Sequence, residues 1–223
     1  MIKIVGLHKT YGSNIVLADV NMELLGGKIV GLYGNSGCGK TTLAKILCGV
    51  EKPTFGEVYC DENLLVSSKK RMTKQEHNLV QMVYQQPFAS LDPVQKIGHG
   101  IEELIAYYKL APRKKRRHVA EQTIKRMGLV PEVLDAFPSA ISGGEAQRIS
   151  VAKCMLLKPK LLILDEATSM LDVSTQANVL GLVKDLVDET GMSVLLISHD
   201  KELVEYYCDE IYGFYNKKYK KLK

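Results

Sequence analysis

Short apolar runs recur along most of this chain, and they predict β-strands that alternate with helices. Two of them, residues 161–164 and 194–197, are continuously apolar, which is typical of strands buried on both faces of a largely parallel sheet. The full set of predicted strands covers residues 2–7, 16–24, 28–33, 57–60, 79–84, 161–164, 193–197 and 210–215. This alternation indicates an α/β core. A turn is predicted at Asn216–Lys217.

The pattern changes to a helical period between Gly98 and Phe137. One predicted helix carries apolar residues at 101, 104, 105 and 108, and a second runs through 119, 124 and 127 and is closed by Gly128. No strand-like run interrupts this region. The whole chain, 1–223, is therefore predicted to be one domain, in which a helical subdomain (88–158) is inserted into an α/β core (1–87 and 159–223).

The composition is typical of a globular protein with a hydrophobic core, since 46% of the 223 residues are hydrophobic and 25% are charged. No stretch approaches the roughly 20 apolar residues that cross a bilayer. The first residues alternate like a strand and show no secretory signal. The cysteines are scattered, which argues against a zinc site or a disulfide framework. They are Cys38, Cys48, Cys60, Cys154 and Cys208. We therefore expect a cytoplasmic protein.

The net charge of +5 is partly concentrated in two basic runs, residues 113–117 and 217–223. Such runs attract nucleic acid or anionic lipid. The favoured interpretation is a solvated helix face for the first and a frayed end for the second. Contact with a membrane surface is the main alternative.

A glycine-rich segment between a predicted strand and a predicted helix is the strongest chemical signal. It fits GxxxxGK[ST] and consists of Gly34, Asn35, Ser36, Gly37, Cys38, Gly39, Lys40, Thr41 and Thr42. Glycines let backbone N–H groups turn around an anion, and the helix N-terminus adds its positive end. Lys40 would contact the β- and γ-phosphates, and the Thr41 hydroxyl would ligate magnesium. A ligand-free turn is the alternative.

Two carboxylates, Asp165 and Glu166, follow the buried strand 161–164. Ligands bind at the carboxyl ends of strands in open α/β sheets. Asp165 is expected to hold magnesium, and Glu166 is placed to take a proton from attacking water. By themselves these residues would equally fit a loop start or a helix cap, so the prediction depends on the phosphate loop.

The segment from Ile141 to Arg148, ISGGEAQR, closely resembles the signature motif of ABC ATPases, LSGGQ followed by QR. It lies before a predicted helix, residues 146–157. Ser142, Gly143 and Gly144 would form a second anion-binding helix end, whereas an N-capping serine with two turn glycines is the simpler alternative. Ile141 and Glu145 depart from the motif. On these residues the chain resembles the ATP-binding subunits of ABC transporters.

Four further residues match that family one by one. Tyr11 resembles the aromatic that stacks on adenine, and Gln85 resembles the Q-loop glutamine that contacts magnesium and faces the membrane partner. Asp172 resembles the D-loop aspartate, and His199 the switch histidine that binds the γ-phosphate. The alternatives are a strand-end tyrosine, a loop amide (Gln86 is adjacent), a helix-capping aspartate and a structural histidine.

The resemblance implies a P-loop NTPase core of the ABC ATPase type with an antiparallel β subdomain and an inserted helical subdomain. It also implies ATP and Mg²⁺ as ligands, and catalytic roles for Glu166, His199, Gln85 and Lys40. Two ATP-binding subunits, identical or different, would pair head to tail on permease subunits at the cytoplasmic face of the membrane. A solute-binding protein would complete the system, and no nucleic acid is expected.

Residues 87–93, PFASLDP, resemble the segment after the Q-loop in ATPases of peptide and nickel importers. Import of peptides or metal chelates is therefore the expected function, although Gln86 departs from an acidic position. An exporter or a lipoprotein-extraction system is the alternative, and a soluble ABC protein acting on DNA or ribosomes is a weaker one. In this family the transported substrate is contacted by other subunits, so its identity is not encoded in the ATP-binding chain.

Overall fold

The computed structural model describes residues 1–215 and 217–223. It divides into two compact units. The first comprises residues 1–82, 159–166 and 183–223, and the second comprises 83–158 and 167–182. The domain borders predicted from the sequence stay a prediction. No helix in the described residues is long and apolar enough to cross a membrane.

The strands of the described chain are β1 (Ile2–Tyr11), β2 (Asn14–Leu24), β3 (Ile29–Tyr33), β4 (Phe55–Cys60), β5 (Asn63–Ser67), β6 (Val80–Val83), β7 (Leu161–Asp165), β8 (Ser193–Ser198), β9 (Glu210–Tyr215) and β10 (Lys218–Lys221). They form two sheets. One has the order β2-β1-β4-β5 with antiparallel neighbours, and the other has the order β10-β9-β3-β8-β7-β6.

In the larger sheet, β3 runs parallel to β8 and β9, and β7 runs parallel to β8. Tyr33 is level with Ser198, and Asp165 is level with Ile197. The loops that follow β3, β7 and β8 therefore leave the sheet at the same edge. This register brings the residues of the candidate site together, because each of these loops contains some of them.

The longer helices are α1 (Lys40–Leu47), α2 (Ile97–Tyr107), α3 (Arg116–Arg126), α4 (Gly143–Met155), α5 (Val173–Thr190) and α6 (Lys201–Tyr207). In the first unit, α1 buries Leu43, Ile46 and Leu47 in one hydrophobic cluster with residues of both sheets. Burial of the apolar face of α1 fixes its N-terminus beside the end of β3. The phosphate loop between them is therefore anchored at both ends.

In the second unit, α2 packs on α3, and α3 packs on α4. The helical periodicity predicted both α2 and α3, and Gly128 follows α3 in the left-handed conformation with φ 65°. The signature helix α4 begins three residues earlier than predicted, because Ser142 caps it. Local side-chain hydrogen bonds, rather than apolar spacing, set that start.

Two strands of the first unit were not predicted. β5 was missed because it lacks an alternating apolar pattern and is held by pairing with β4. The prediction of a frayed C-terminal end is wrong, because β10 pairs antiparallel with β9 and Tyr219 packs against the hydrophobic core. Its lysines stay exposed on either side of that tyrosine. The turn predicted at Asn216–Lys217 includes Asn216, which lies outside the described residues.

Candidate functional site

The phosphate loop occupies residues 34–39 and leads directly into α1. Gly39 has φ 108°, and a Cβ built there would lie 2.9 Å from Val16 Cγ1 and 3.0 Å from Leu17 Cδ2. Both the backbone angle and the close approach of β2 therefore require glycine. The first helical hydrogen bond runs from Leu43 N–H to Gly39 O at 2.9 Å. Earlier N–H groups of the turn have no helical acceptor, as an anion site requires.

Lys40 is a buried cation, only 4% exposed. Its Nζ donates hydrogen bonds to Gly34 O at 2.7 Å and to Asn35 O at 2.9 Å, and it lies 4.0 Å from Glu166 Oε1. The two carbonyls hold the ammonium at the loop without neutralising it. A buried charge of this kind favours an anion as its ligand.

Asp165 ends β7, is 8% exposed, and has an Oδ1 atom with no hydrogen-bond partner among the described residues. Burial raises the pKa of this carboxyl above its ordinary value, while a hydrogen bond from the Thr41 hydroxyl lowers it. Desolvation disfavours the ionised form unless a cation compensates. A free, buried carboxylate oxygen beside a hydroxyl is a ligand set that suits magnesium.

Glu166 lies between two other predicted residues. Its Oε1 atom is 3.5 Å from His199 Nδ1 as well as 4.0 Å from Lys40 Nζ. Its backbone is left-handed, with φ 50°, and its N–H donates to Ile197 O at 3.0 Å. A non-glycine residue in this region is strained, and such strain is concentrated at functional sites. The loops after β3, β7 and β8 thus bring Lys40, Glu166 and His199 together.

Tyr11 ends β1 and is 46% exposed. Its hydroxyl donates to Glu51 and also forms a hydrogen bond with Thr42, and Lys9 Nζ lies 4.8 Å from the ring centroid. Burial and the Glu51 carboxylate raise its pKa. Through Thr42, the tyrosine is therefore hydrogen-bonded to α1, the helix that follows the phosphate loop. Stacking of this ring on a base stays a prediction.

Ser142 is the N-cap of α4, in the second unit. Its Oγ accepts from Glu145 N–H at 3.3 Å, and Glu145 Oε2 accepts from Ser142 N–H at 2.9 Å. These bonds hold the pKa of Glu145 below its ordinary value. The capping alternative is thus observed, and Glu145, which departs from the motif, completes the capping box. The ligand role of Ser142, Gly143 and Gly144 stays a prediction.

The same unit contains Gln85 and Asp172. Gln85 Nε2 donates to Ser169 Oγ at 3.3 Å. Asp172 accepts from Thr175 N–H at 2.9 Å and from Thr175 Oγ at 2.7 Å, and these hydrogen bonds lower its pKa. Asp172 therefore caps α5, which was the alternative interpretation of this residue. Its role in a D-loop stays a prediction.

A partly buried network that the sequence did not reveal connects α4 to residues 87–90. Ser90 Oγ lies 2.9 Å from Ser150 Oγ, and Lys153 Nζ donates to Ser90 O at 2.6 Å. Burial lowers the pKa of Lys153. The signature helix is thereby bonded to the segment that follows Gln85. Nothing in local sequence spacing indicates this contact, because it joins residues far apart in the chain.

The Gly144→Ala substitution should destabilise the second unit by about 1–3 kcal/mol, as overpacking does. A Cβ at this position would lie 2.4 Å from Thr175 Cγ2. Adding Thr175→Ser removes that methyl group but keeps the hydroxyl that bonds Asp172, so it should recover the lost stability. Thermal unfolding of the single and double variants measures this.

The matched control for that prediction is Gly100→Ala in α2. No atom lies within 4 Å of a Cβ built there, so this variant should be neutral or slightly stabilised. Equal unfolding temperatures for wild type and Gly144→Ala would contradict the close packing of Gly144 on Thr175.

Comparison with known proteins identifies the family. The model of the ABC transporter family matches residues 17–169. The di/tripeptide transport ATP-binding protein DppF of Pseudomonas aeruginosa is 39% identical over 210 residues, covering 94% of this chain and 65% of that protein. The dipeptide transport ATP-binding protein DppF of Haemophilus influenzae is 40% identical over 200 residues, covering 89% and 61%. The chain spans less than two thirds of the length of these relatives.

Solved structures agree. The dimeric post-hydrolysis state of the ATP-binding cassette MJ0796, bound to ADP and Pi, matches with a TM-score of 0.82 and 29% identity, covering 100% of this chain and 99% of that one. CbiO1 of Clostridium perfringens matches with a TM-score of 0.85 at 23% identity, covering 98% and 86%, which supports the fold alone. The predicted fold class, a P-loop NTPase core of the ABC ATPase type, is confirmed. The chain belongs to the ABC transporter family.

Proposed function

We propose that this chain is the ATP-binding and ATP-hydrolysing subunit of a membrane transporter that imports short peptides. The observation that carries the proposal is the grouping of Lys40, Glu166 and His199 at the mouth of a phosphate loop. A buried cation that binds an anion and a carboxylate that accepts a proton are the two groups that hydrolysis of a triphosphate needs.

ATP would lie with its phosphates against residues 34–42 and its base against Tyr11. Thr41 and Asp165 would hold the magnesium ion, which offsets phosphate charge when bound. The resemblance to the family also assigns Gln85 to this ion. The unpartnered, buried Oδ1 atom of Asp165 supports this assignment. Glu166 would accept a proton from the attacking water, and His199, whose Nδ1 atom faces Glu166, would orient the γ-phosphate.

Each half of the working pair would supply a different surface. Ser142, Gly143, Gly144 and Asp172 of one subunit would close on ATP held by the other, so that nucleotide joins the halves and hydrolysis releases them. The proposed partners are a second ATP-binding subunit, permease subunits and a solute-binding protein. The chain would work at the cytoplasmic face of the membrane.

Peptide cargo is proposed from the relatives, because the DppF proteins of Pseudomonas aeruginosa and Haemophilus influenzae are named for di/tripeptide and dipeptide transport. The segment 87–93 agrees with that branch. These relatives give no specific support for nickel. Growth on dipeptides as the sole source of an amino acid, with and without the gene, tests the cargo directly.

A Glu166→Gln protein should associate when Mg-ATP is added, because the nucleotide stays intact between two halves. Light scattering should then show a rise from the 24.8 kDa monomer to twice that mass. Adding Gly143→Asp should abolish the rise, since a carboxylate would face the triphosphate. The substitution should preserve the fold, because a Cβ at Gly143 makes only an ordinary 3.5 Å contact with Leu171.

The matched control is Gly100→Asp in the same background, which adds the same charge in α2, where the structure leaves open space. It should still associate. If the self-pair does not form, the test is repeated with a sibling ATP-binding subunit. Failure to bind Mg-ATP and to associate with either partner would contradict the proposed function.

A further inference from the structure

The Glu51 carboxylate, which follows α1 in the first unit, contacts three side chains. It accepts a hydrogen bond from the Tyr11 hydroxyl. Lys9 Nζ lies 3.4 Å from its Oε2 atom, and Lys45 Nζ lies 3.9 Å from its Oε1 atom. Tyr11 and Lys9 belong to β1, whereas Lys45 belongs to α1. Glu51 therefore joins the end of the strand that carries Tyr11 to the helix that begins at the phosphate loop.

Backbone hydrogen bonds hold Glu51 against the last turn of α1. Its N–H donates to Lys45 O at 3.2 Å, and the N–H of Val50 donates to the same carbonyl at 2.9 Å. The hydrogen bond from Tyr11 lowers the pKa of the Glu51 carboxyl against the effect of burial, and Lys9 and Lys45 lower it further. The group is therefore an ionised acceptor at neutral pH, fixed relative to α1 by its own backbone.

Lys9 covers one face of the Tyr11 ring. Its Nζ atom lies 4.8 Å from the ring centroid and donates to Lys52 O at 2.7 Å, and its side chain is only 14% exposed. An ammonium in this position is attracted by the π-electrons of the ring. Tyr11 is nonetheless nearly half exposed. The ring is thus held on one face and at its hydroxyl, while it keeps open surface for a planar ligand.

We propose that Glu51 and Lys9 are positioning residues for the base of the nucleotide. Glu51 fixes the hydroxyl of Tyr11 and Lys9 occupies one face of its ring, so that the base stacks on the opposite face. A ring that is already fixed loses less side-chain freedom when a ligand binds to it. The inference rests on the proposed function, in which Tyr11 contacts the base. Both residues act through Tyr11, so their effect should be confined to ligands that carry a base.

The test of Glu51 is a double-mutant cycle with Tyr11→Phe, which removes the hydroxyl but keeps the ring. Glu51→Ala and Tyr11→Phe should each raise the dissociation constant for Mg-ATP about fivefold, as loss of one hydrogen bond does. The double variant should show no further loss, because both changes remove the same interaction. Mg-tripolyphosphate has no base and should bind every variant like the wild type. Isothermal titration measures both ligands.

Three results of this cycle would overturn the role of Glu51. They are unchanged Mg-ATP affinity in Glu51→Ala, additive losses in the double variant, and an equal loss for Mg-tripolyphosphate. Glu51→Gln is the conservative variant, since its amide oxygen can still accept from the Tyr11 hydroxyl, and it should retain most of the Mg-ATP affinity. A loss in Glu51→Gln as large as in Glu51→Ala would contradict the hydrogen bond as the cause.

The matched control is a second tyrosine–glutamate pair in the same unit. The Tyr59 hydroxyl donates to Glu57 Oε2 at 2.5 Å on β4. Glu57→Ala and Tyr59→Phe remove the same kind of hydrogen bond from a strand outside the candidate site. Both should bind Mg-ATP like the wild type. A fivefold loss in these variants would show that any such bond in the sheet affects binding, which would overturn the specific role of Glu51.

Lys9→Met tests the face of the ring, because it removes the ammonium and keeps a chain of similar length. Its dissociation constant for Mg-ATP should rise about two- to fivefold, the usual contribution of a cation–π contact. Binding of Mg-tripolyphosphate should not change. If both ligands lose affinity equally, Lys9 attracts phosphate charge rather than positioning the ring, and its proposed role is wrong.

A readout without nucleotide separates this inference from the proposed function. The chain has 11 tyrosines, which fluorotyrosine labels for ¹⁹F NMR, and the Tyr11 signal is the one that Tyr11→Phe removes. Glu51→Ala should narrow that signal, because the released ring reorients faster. An unchanged signal would overturn the positioning role. A narrowed signal in a protein whose wild type binds no Mg-ATP would count against the proposed function instead.

Discussion

Replacing Glu166 by glutamine should slow ATP hydrolysis by roughly 10²–10⁴-fold, the usual contribution of a general base. Binding of Mg-ATP should remain, because the phosphate loop and Lys40 are unchanged. Glutamine has nearly the same shape but cannot accept the proton of water. Phosphate release under saturating Mg-ATP, together with a separate binding titration, measures the two effects.

The expected size of this effect depends on the surroundings of Glu166. It is held in a strained backbone conformation, with its carboxylate near both His199 and Lys40. A base fixed in this way is positioned before the substrate arrives, which makes its loss costly. The control is Glu62→Gln, an exposed residue in the turn between β4 and β5, which should hydrolyse ATP normally. Near-normal turnover by Glu166→Gln would refute the assignment of the base.

Replacing Lys40 by alanine should raise the dissociation constant for Mg-ATP roughly 10- to 100-fold, since a charge-assisted contact to phosphate is lost. Hydrolysis should fall as well. The substitution also leaves Gly34 O and Asn35 O without the ammonium that now bonds both of them. We therefore expect a loss of about 1–3 kcal/mol in the free energy of unfolding.

Isothermal titration with Mg-ATP measures the affinity, and circular dichroism shows that the variant is folded. Lys184→Ala is the matched control, because Lys184 is an exposed helical lysine of α5 in the same unit. It should bind Mg-ATP like the wild type. Unchanged affinity of a folded Lys40→Ala protein would mean that residues 34–42 are not the phosphate site.

The sequence by itself determined the local parts of the site. The phosphate loop was predicted from glycine positions between an apolar strand and an amphipathic helix, and Asp165 from its place after a buried run. The predicted start of α4 was three residues late, because Ser142 and Glu145 cap it together. Each of these signals depends on residues that are close together in the chain, so it can be recognised in a single sequence.

Tertiary structure alone decided which of these parts meet. The parallel register of β3, β8 and β7 places Lys40, Glu166 and His199 together, and no local pattern measures that distance. Pairing also turned the basic C-terminal run into β10 and packed Tyr219 against the hydrophobic core. Whether the Tyr219 ring packs against the core, while the neighbouring lysines stay exposed, depends on the apolar residues that distant parts of the chain place beside it. That information lies in long-range packing, which local pattern and propensity do not encode.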